Sequence, residues 1–205
     1  MKPTIEKLQL ITPQYDGEEF YNQLNFLLQQ GIRWVQLRLK KCNDDDFLTI
    51  AKQVKNICEQ YSAVLLINDR VDIAIKIHAH GVHLGKNDMP AHSARKLLGE
   101  HAIIGGTANT IEDIKNLYNH VDYIGLGPFR FTQTKENLSP ILGINGYQTI
   151  INQCNEAKII TPIIAVGGIT KDDITPIIKT GLYGVAISSF LWGNNNVKEL
   201  LTIIN

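Results

Sequence analysis

Cysteine is scarce in this sequence: Cys42, Cys58 and Cys154 are the 3 cysteines among 205 residues. An odd number so widely spaced builds neither a disulfide framework nor a CxxC metal knot. It fits reduced thiols in a cytoplasm. Long apolar runs are also missing. None approaches the roughly 20 residues that a membrane helix needs, and the opening MKPTIEKLQLIT lacks the apolar core of a secretory signal. Neither sign of charge dominates, because 20 basic residues face 20 acidic ones. That balance argues against broad nucleic-acid or anionic-membrane binding and leaves any basic site local. The first strand–helix turn carries no G-x-G-x-x-G, which disfavours a dinucleotide fold. No two histidines stand four apart, which disfavours zinc, and no serine–histidine–aspartate order or activated cysteine stands out.

What is present is an alternation. The apolar patterning predicts strands at Leu8–Ile11, Trp34–Leu39, Val64–Ile67, Gly81–Leu84, Ala102–Ile104, Tyr123–Leu126, Pro162–Val166 and Val185–Ile187. Between them the spacing turns helical. Phe20, Leu24, Leu27 and Leu28 share one face after an Asp16 cap and stop at Gly31. Phe47, Ile50, Ala51, Val54, Ile57, Cys58 and Tyr61 mark a longer helix behind the polar Asn43–Asp46. Shorter helices follow at Val71–Ile77, Ala91–Leu98, from Thr110 through Leu117, around Tyr147–Cys154, after Thr170, and at Val197–Ile204. Strands that alternate with helices pair in parallel, because each return needs a crossover. Eight such units predict an α/β fold, a (β/α)8 TIM barrel, as one compact domain over residues 1–205. A doubly wound open sheet is the competing architecture.

One stretch breaks the rhythm. Val121–Gly143 (VDYIGLGPFRFTQTKENLSPILG) starts as a buried strand and then loses all period until near Gly146. Connections are usually about 4–6 residues, and longer ones tend to be lids or binding loops. This one carries Thr132, Gln133, Thr134 and Lys135, and reads as a loop that closes over an anionic ligand.

A barrel places its active site at the C-terminal ends of its strands. After strand two, Gln36, Arg38 and Lys40 share one face and Val35, Leu37 and Leu39 the other. The polar set points inward, and an inward Arg and Lys without an adjacent acid need an anion. A structural ion pair with a neighbouring strand is the plainer alternative. Strand three ends Asn68-Asp69, and Asp88 follows strand four. These two carboxylates beside a basic cluster suit Mg²⁺, which takes one or two carboxylates plus phosphate oxygens, although each alone could be a helix cap. Gly105-Gly106-Thr107 reads as a turn where backbone approaches a ligand and a hydroxyl meets a phosphate. Gly167-Gly168 and Ser188-Ser189, after strands seven and eight, read as a backbone phosphate cup. His83, inside strand four, reads as packed. The ends therefore predict two anion centres, filled by two phosphorylated pieces, one a diphosphate with Mg²⁺, joined with loss of pyrophosphate.

Gln36-Leu37-Arg38-Leu39-Lys40, Ile67-Asn68-Asp69-Arg70-Val71-Asp72, Gly81-Val82-His83-Leu84-Gly85 with Asp88-Met89-Pro90, Asp122–Pro128, Thr132–Lys135 and Ala165-Val166-Gly167-Gly168-Ile169 together resemble thiamine phosphate synthase. The resemblance runs in order from strand two to strand eight. It implies a (β/α)8 barrel that joins hydroxymethylpyrimidine diphosphate to hydroxyethylthiazole phosphate, giving thiamine phosphate and pyrophosphate. It implies that Gln36, Leu37, Arg38, Leu39, Lys40, Asn68, Thr107 and Lys135 bind the pyrimidine diphosphate, with Arg38, Lys40 and Lys135 catalytic. Asp69 and Asp88 would hold Mg²⁺. Thr132, Gln133, Thr134, Gly167, Gly168, Ser188 and Ser189 would bind the thiazole phosphate. The partners implied are small molecules, not nucleic acid or membrane, and a homo-oligomer is compatible with the sequence. Two positions depart from the family: Thr107 stands where Ser is common, and Asn109 where His is common. The thiazole tautomerases, a related branch, usually depend on that His. An isomerase of that type and a non-catalytic sensor of thiamine precursors are the alternatives.

Overall fold

The computed structural model describes residues 2–15, 17–131, 140–193 and 197–204. Among them the strands are β1 (Leu8–Ile11), β2 (Trp34–Leu37), β3 (Val64–Asn68), β4 (Gly81–Leu84), β5 (Ile103–Ala108), β6 (Tyr123–Leu126), β7 (Ile163–Val166) and β8 (Gly184–Ile187). They pair in parallel in chain order, and β8 returns to β1, closing a barrel. Helices α1 (Glu18–Gln29), α2 (Asp44–Gln60), α3 (Val71–Ile77), α4 (Ala91–Leu98), α5 (Ile111–Leu117), α6 (Gly143–Glu156), α7 (Lys171–Lys179), α8 (Ser189–Trp192) and α9 (Val197–Ile204) alternate with them. The closed order excludes the open doubly wound sheet.

Period-two alternation divides every strand. Leu10, Val35, Leu37, Leu65, Ile67, Val82, Ile104, Ile124, Leu126, Ala165 and Val185 belong to the outer apolar layer under the helices. Trp34, Leu66, Ile103, Tyr123, Ile164 and Ala186 fill the barrel interior. This closes the floor and leaves the polar inward positions nearer the strand ends. Local signals fix the helix starts. Asn43 accepts from the Asp46 N–H at 2.9 Å, and three aspartates in the first turn of α2 oppose the helix dipole. Thr110 with Asp113, and Thr170 with Asp173, form reciprocal capping boxes. Asp16 lies outside the described residues.

Three differences from the sequence reading bear on the site. The β2 ladder stops at Leu37 rather than Leu39, because the Arg38 N–H donates to Thr12 Oγ1 (3.0 Å), a side chain. β5 runs on to Ala108, so Gly105 and Gly106 lie in a strand, not a turn. A Cβ on Gly105 would stand 2.3 Å from the Tyr123 ring and 2.6 Å from His83 Nδ1. The glycine makes room for those two rings, not for a ligand. α6 begins at Gly143. There Leu142 N–H donates to Pro128 O (3.0 Å) and Gly143 N–H to Phe129 O (3.0 Å), which stitches together the two ends of the aperiodic run.

Candidate active site

The ends of β2, β3 and β4 share one rim. Thr12 holds the Arg38 backbone. Gln14 Oε1 accepts from the N–H groups of Lys40 (3.0 Å) and Lys41 (3.3 Å). The sequence reading singled out neither residue, since both lie after β1 with no motif around them. Lys40 forms an ion pair with Asp69. Arg38 is half-buried, and burial lowers its pKa from the ordinary guanidinium value while the Asp69 charge pulls the other way. The acid thought to be missing beside these cations is thus Asp69, from the neighbouring strand, and the ion-pair alternative holds in part.

Asp69 does not cap a helix: Arg70 is the N-cap of α3, and Pro90 that of α4 after Asp88. Asp69 instead takes a left-handed backbone (φ 64°), a conformation unusual for a non-glycine residue and concentrated at functional sites. Its N–H donates to His83 O at 2.8 Å. Asp88 Oδ2 accepts from the Gly85 N–H at 2.7 Å. A Cβ on residue 85 would stand 2.8 Å from that oxygen, so glycine is what lets the carboxylate fold back. The Asp88 and Asp69 carboxyls are in contact, and burial first, then Asp69, raise the Asp88 pKa. Such a pair stays doubly charged only opposite a cation. Among the described residues no group of three or more metal-ligating side chains occurs. Two carboxylates match the donor set of Mg²⁺ completed by phosphate oxygens and water.

Asn68 is buried at the end of β3. Gln36 lies in the barrel, 2 % exposed, and donates to Gln9 Oε1 at 3.0 Å. The side chains of Leu37 and Leu39 turn outward into the apolar layer. These two residues therefore turn only their backbone toward the rim. Thr107 lies within β5, with its hydroxyl 3.0 Å from His83 Nε2. His83 packs against the Tyr123 ring, as expected, and is hydrogen-bonded as well. Asn109 donates to Gly127 O and ties the end of β5 to the start of the long connection. A cleft of about 310 Å³ opens beside Asp88 and Thr107, bordered by Lys86, Met89, Asp113 and Leu117. Lys86 pairs with Asp113 there at 2.6 Å.

Across the barrel, Gly167 (φ 104°) and Gly168 (φ 68°) turn into α7 in left-handed conformations. A Cβ on Gly167 would stand 2.9 Å from Pro128 Cα. Ser188 caps α8, and its buried hydroxyl has no hydrogen-bond partner among the described residues. Ser189 is exposed. Arg130, hidden from sequence reading inside the aperiodic run, bonds Asp173 at 2.6 Å beside the glycine turn. Thr132, Gln133, Thr134 and Lys135 lie outside the described residues.

Comparison with known proteins matches residues 8–191 to the family model described as thiamine monophosphate synthase. A thiamine-phosphate synthase of Bacteroides thetaiotaomicron is 46 % identical over 200 residues, covering 97 % of this chain and 96 % of its own. One from Phocaeicola vulgatus is 46 % identical over 207 residues, covering both chains fully at 100 %. Among solved structures, the thiamine phosphate pyrophosphorylase from Pyrococcus furiosus superposes with a TM-score of 0.82 at 27 % identity, covering 97 % of this chain and 95 % of its own.

Proposed function

The chain belongs to the thiamine monophosphate synthase family, a family of transferases, and from that premise we propose how its residues carry out the transfer. The aminopyrimidinylmethyl group passes from hydroxymethylpyrimidine diphosphate to hydroxyethylthiazole phosphate. The observation that carries this reading is the Asp69–Asp88 carboxyl pair meeting Lys40 and Arg38 at one rim. A diphosphate needs such a mixture of cations and metal-holding acids, whereas a plain phosphate sensor does not.

Asp69 and Asp88 would hold Mg²⁺. When bound, the ion supplies positive charge to the diphosphate oxygens. Arg38, Lys40 and Lys135 add cationic donors to the same oxygens, and this stabilises charge that grows as the C–O bond breaks. The electron pair of that bond leaves with pyrophosphate. The amino group of the pyrimidine pushes density toward the methylene carbon, and the resulting cation-like carbon meets the thiazole nitrogen, forming the C–N bond. No general base is needed. The protein's task is charge neutralisation and alignment of two rings. Gln36 and Asn68 hold the pyrimidine end, with the Leu37 and Leu39 backbone beside them, and Thr107 donates to the diphosphate. Gly167, Gly168, Ser188, Ser189 and Thr132–Thr134 hold the thiazole phosphate. Water has to be kept from both, because it would trap the cation.

No helix among the described residues is long and apolar enough to cross a membrane, and the free thiols of Cys42, Cys58 and Cys154 support a cytoplasmic location. A two-substrate assay of pyrophosphate release tests the reading. Release should require both substrates and Mg²⁺. Lys135→Ala should depress turnover sharply, and full activity in that variant at saturating substrate would remove the loop from the mechanism. Isomerisation of a single thiazole phosphate without metal would instead make the chain a tautomerase. Binding without turnover of any substrate pair would make it a sensor.

A further inference from the structure

Beneath the rim, five inward side chains join across the barrel. Gln36 Nε2 donates to Gln9 Oε1 at 3.0 Å, and Gln9 Nε2 donates to the Tyr123 hydroxyl at 3.1 Å. That hydroxyl lies 2.9 Å from His83 Nδ1, and His83 Nε2 lies 3.0 Å from Thr107 Oγ1. Gln9, Gln36 and Tyr123 are 1 %, 2 % and 0 % exposed. Trp34, at 4.8 Å between ring centroids, packs edge-on against Tyr123. Buried polar groups of this kind must be satisfied, and satisfaction gives the chain a direction.

The Tyr123 oxygen accepts from Gln9, so its own hydrogen needs an acceptor. Gln36 also meets this hydroxyl and, like Gln9, donates to it, which leaves His83 Nδ1, at 2.9 Å, as its acceptor. Nδ1 is therefore bare, Nε2 carries the proton, and Nε2–H donates to Thr107 Oγ1. Thr107 keeps its hydroxyl hydrogen for a ligand. At the other end Gln36 gives an amide hydrogen downward and keeps its oxygen as an acceptor.

We infer that Gln9, Tyr123 and His83 are positioning residues for the pyrimidine diphosphate. They hold an acceptor at Gln36 on β2 and a donor at Thr107 on β5, across the barrel. An aminopyrimidine offers an N–H₂ donor, and its diphosphate offers oxygen acceptors, so the polarity of the chain matches both ends of that substrate. The match to this substrate rests on the proposed reaction. The direction of the chain does not.

Long-range ¹H–¹⁵N correlation on the full chain reads the His83 tautomer without turnover. Only the Nε2–H form should appear, and a dominant Nδ1–H or doubly protonated ring overturns the inference. Tyr123→Phe should release the tautomer and raise KM for the pyrimidine diphosphate by about 10-fold, the worth of one neutral hydrogen bond. KM for the thiazole phosphate should not move. Gln9→Met, of similar volume, should give the same split if Tyr123→Phe does not fold. Equal shifts for both substrates, or none, overturn the positioning role. A wild-type chain that releases no pyrophosphate sinks the proposed reaction instead, and the tautomer still decides the direction of the chain.

Discussion

Asp88 and Asp69 touch carboxyl to carboxyl across the tops of β4 and β3, and burial together with that contact raises the Asp88 pKa. The folded chain thus keeps a proton that the unfolded chain gives up near the ordinary aspartate value of about 3.9. Where the native state binds more protons, stability falls as pH rises. Without metal, the wild type should lose stability between that value and the raised folded one. Asp88→Asn keeps the bond to the Gly85 N–H but loses the charge. It should melt higher than wild type above that window and alike below it. Mg²⁺ should raise the melting temperature of the wild type only, and pyrophosphate release by the variant should fall about 10²-fold. Melting curves from acid to neutral pH, with and without Mg²⁺, check all three.

Asp122 shows the opposite sign. Its carboxylate accepts from Lys2 Nζ (2.6 Å), Arg95 (2.6 Å) and the Ile104 N–H (2.7 Å). Burial raises its pKa, but these donors outweigh burial and the net shift is downward. The clamp ties the N-terminal segment and α4 to the start of β6. Its stabilisation is present above the unfolded aspartate value and lost as pH falls through the lower folded one. Asp122→Ala should cost about 2 kcal/mol at neutral pH, less than a fully buried pair, and the gap from wild type in urea unfolding should close in strong acid. Turnover of the folded variant should be unchanged.

Much of this architecture is legible from local pattern. The spacing of Phe20, Leu24, Leu27 and Leu28 specifies α1, and Thr110-x-x-Asp113 specifies the start of α5, because both signals span one or two turns. The acids and bases of the rim were also readable, since strand ends are found by counting strands. The interior network was not. Gln9 and Tyr123 stand 114 residues apart, and each looks like an isolated polar residue in an apolar strand. Gly105-Gly106 misled for a related reason. Glycine has low strand propensity, and only the rings of Tyr123 and His83, brought in by tertiary packing, explain its place in β5. Arg130 had no periodic context at all.

Gly105→Ala tests that account. The added methyl would meet the Tyr123 ring at 2.3 Å and His83 Nδ1 at 2.6 Å, and the pleat gives neither ring an escape. Overpacking of this kind costs about 1–3 kcal/mol. The urea midpoint should drop accordingly, and KM for the pyrimidine diphosphate should rise because His83 is displaced from Thr107. Gly99→Ala is a weaker control, because a Cβ there meets nothing within 4 Å and the strain comes from the backbone alone. It should lower stability without moving KM.

The Ser188 hydroxyl separates a binding role from a structural one. It is buried without a partner among the described residues, beside the Gly167-Gly168 turn, and an unmade hydrogen bond of this kind costs about 1–3 kcal/mol. A serine kept for the fold would lose stability on truncation. A serine kept for a phosphate would not. Ser188→Ala should match or exceed the wild-type melting temperature while KM for the thiazole phosphate rises about 10-fold. The thiazole alcohol, which lacks the phosphate, should show no difference between the two proteins. A variant that melts lower and keeps its KM would assign Ser188 to the fold and remove it from the phosphate cup.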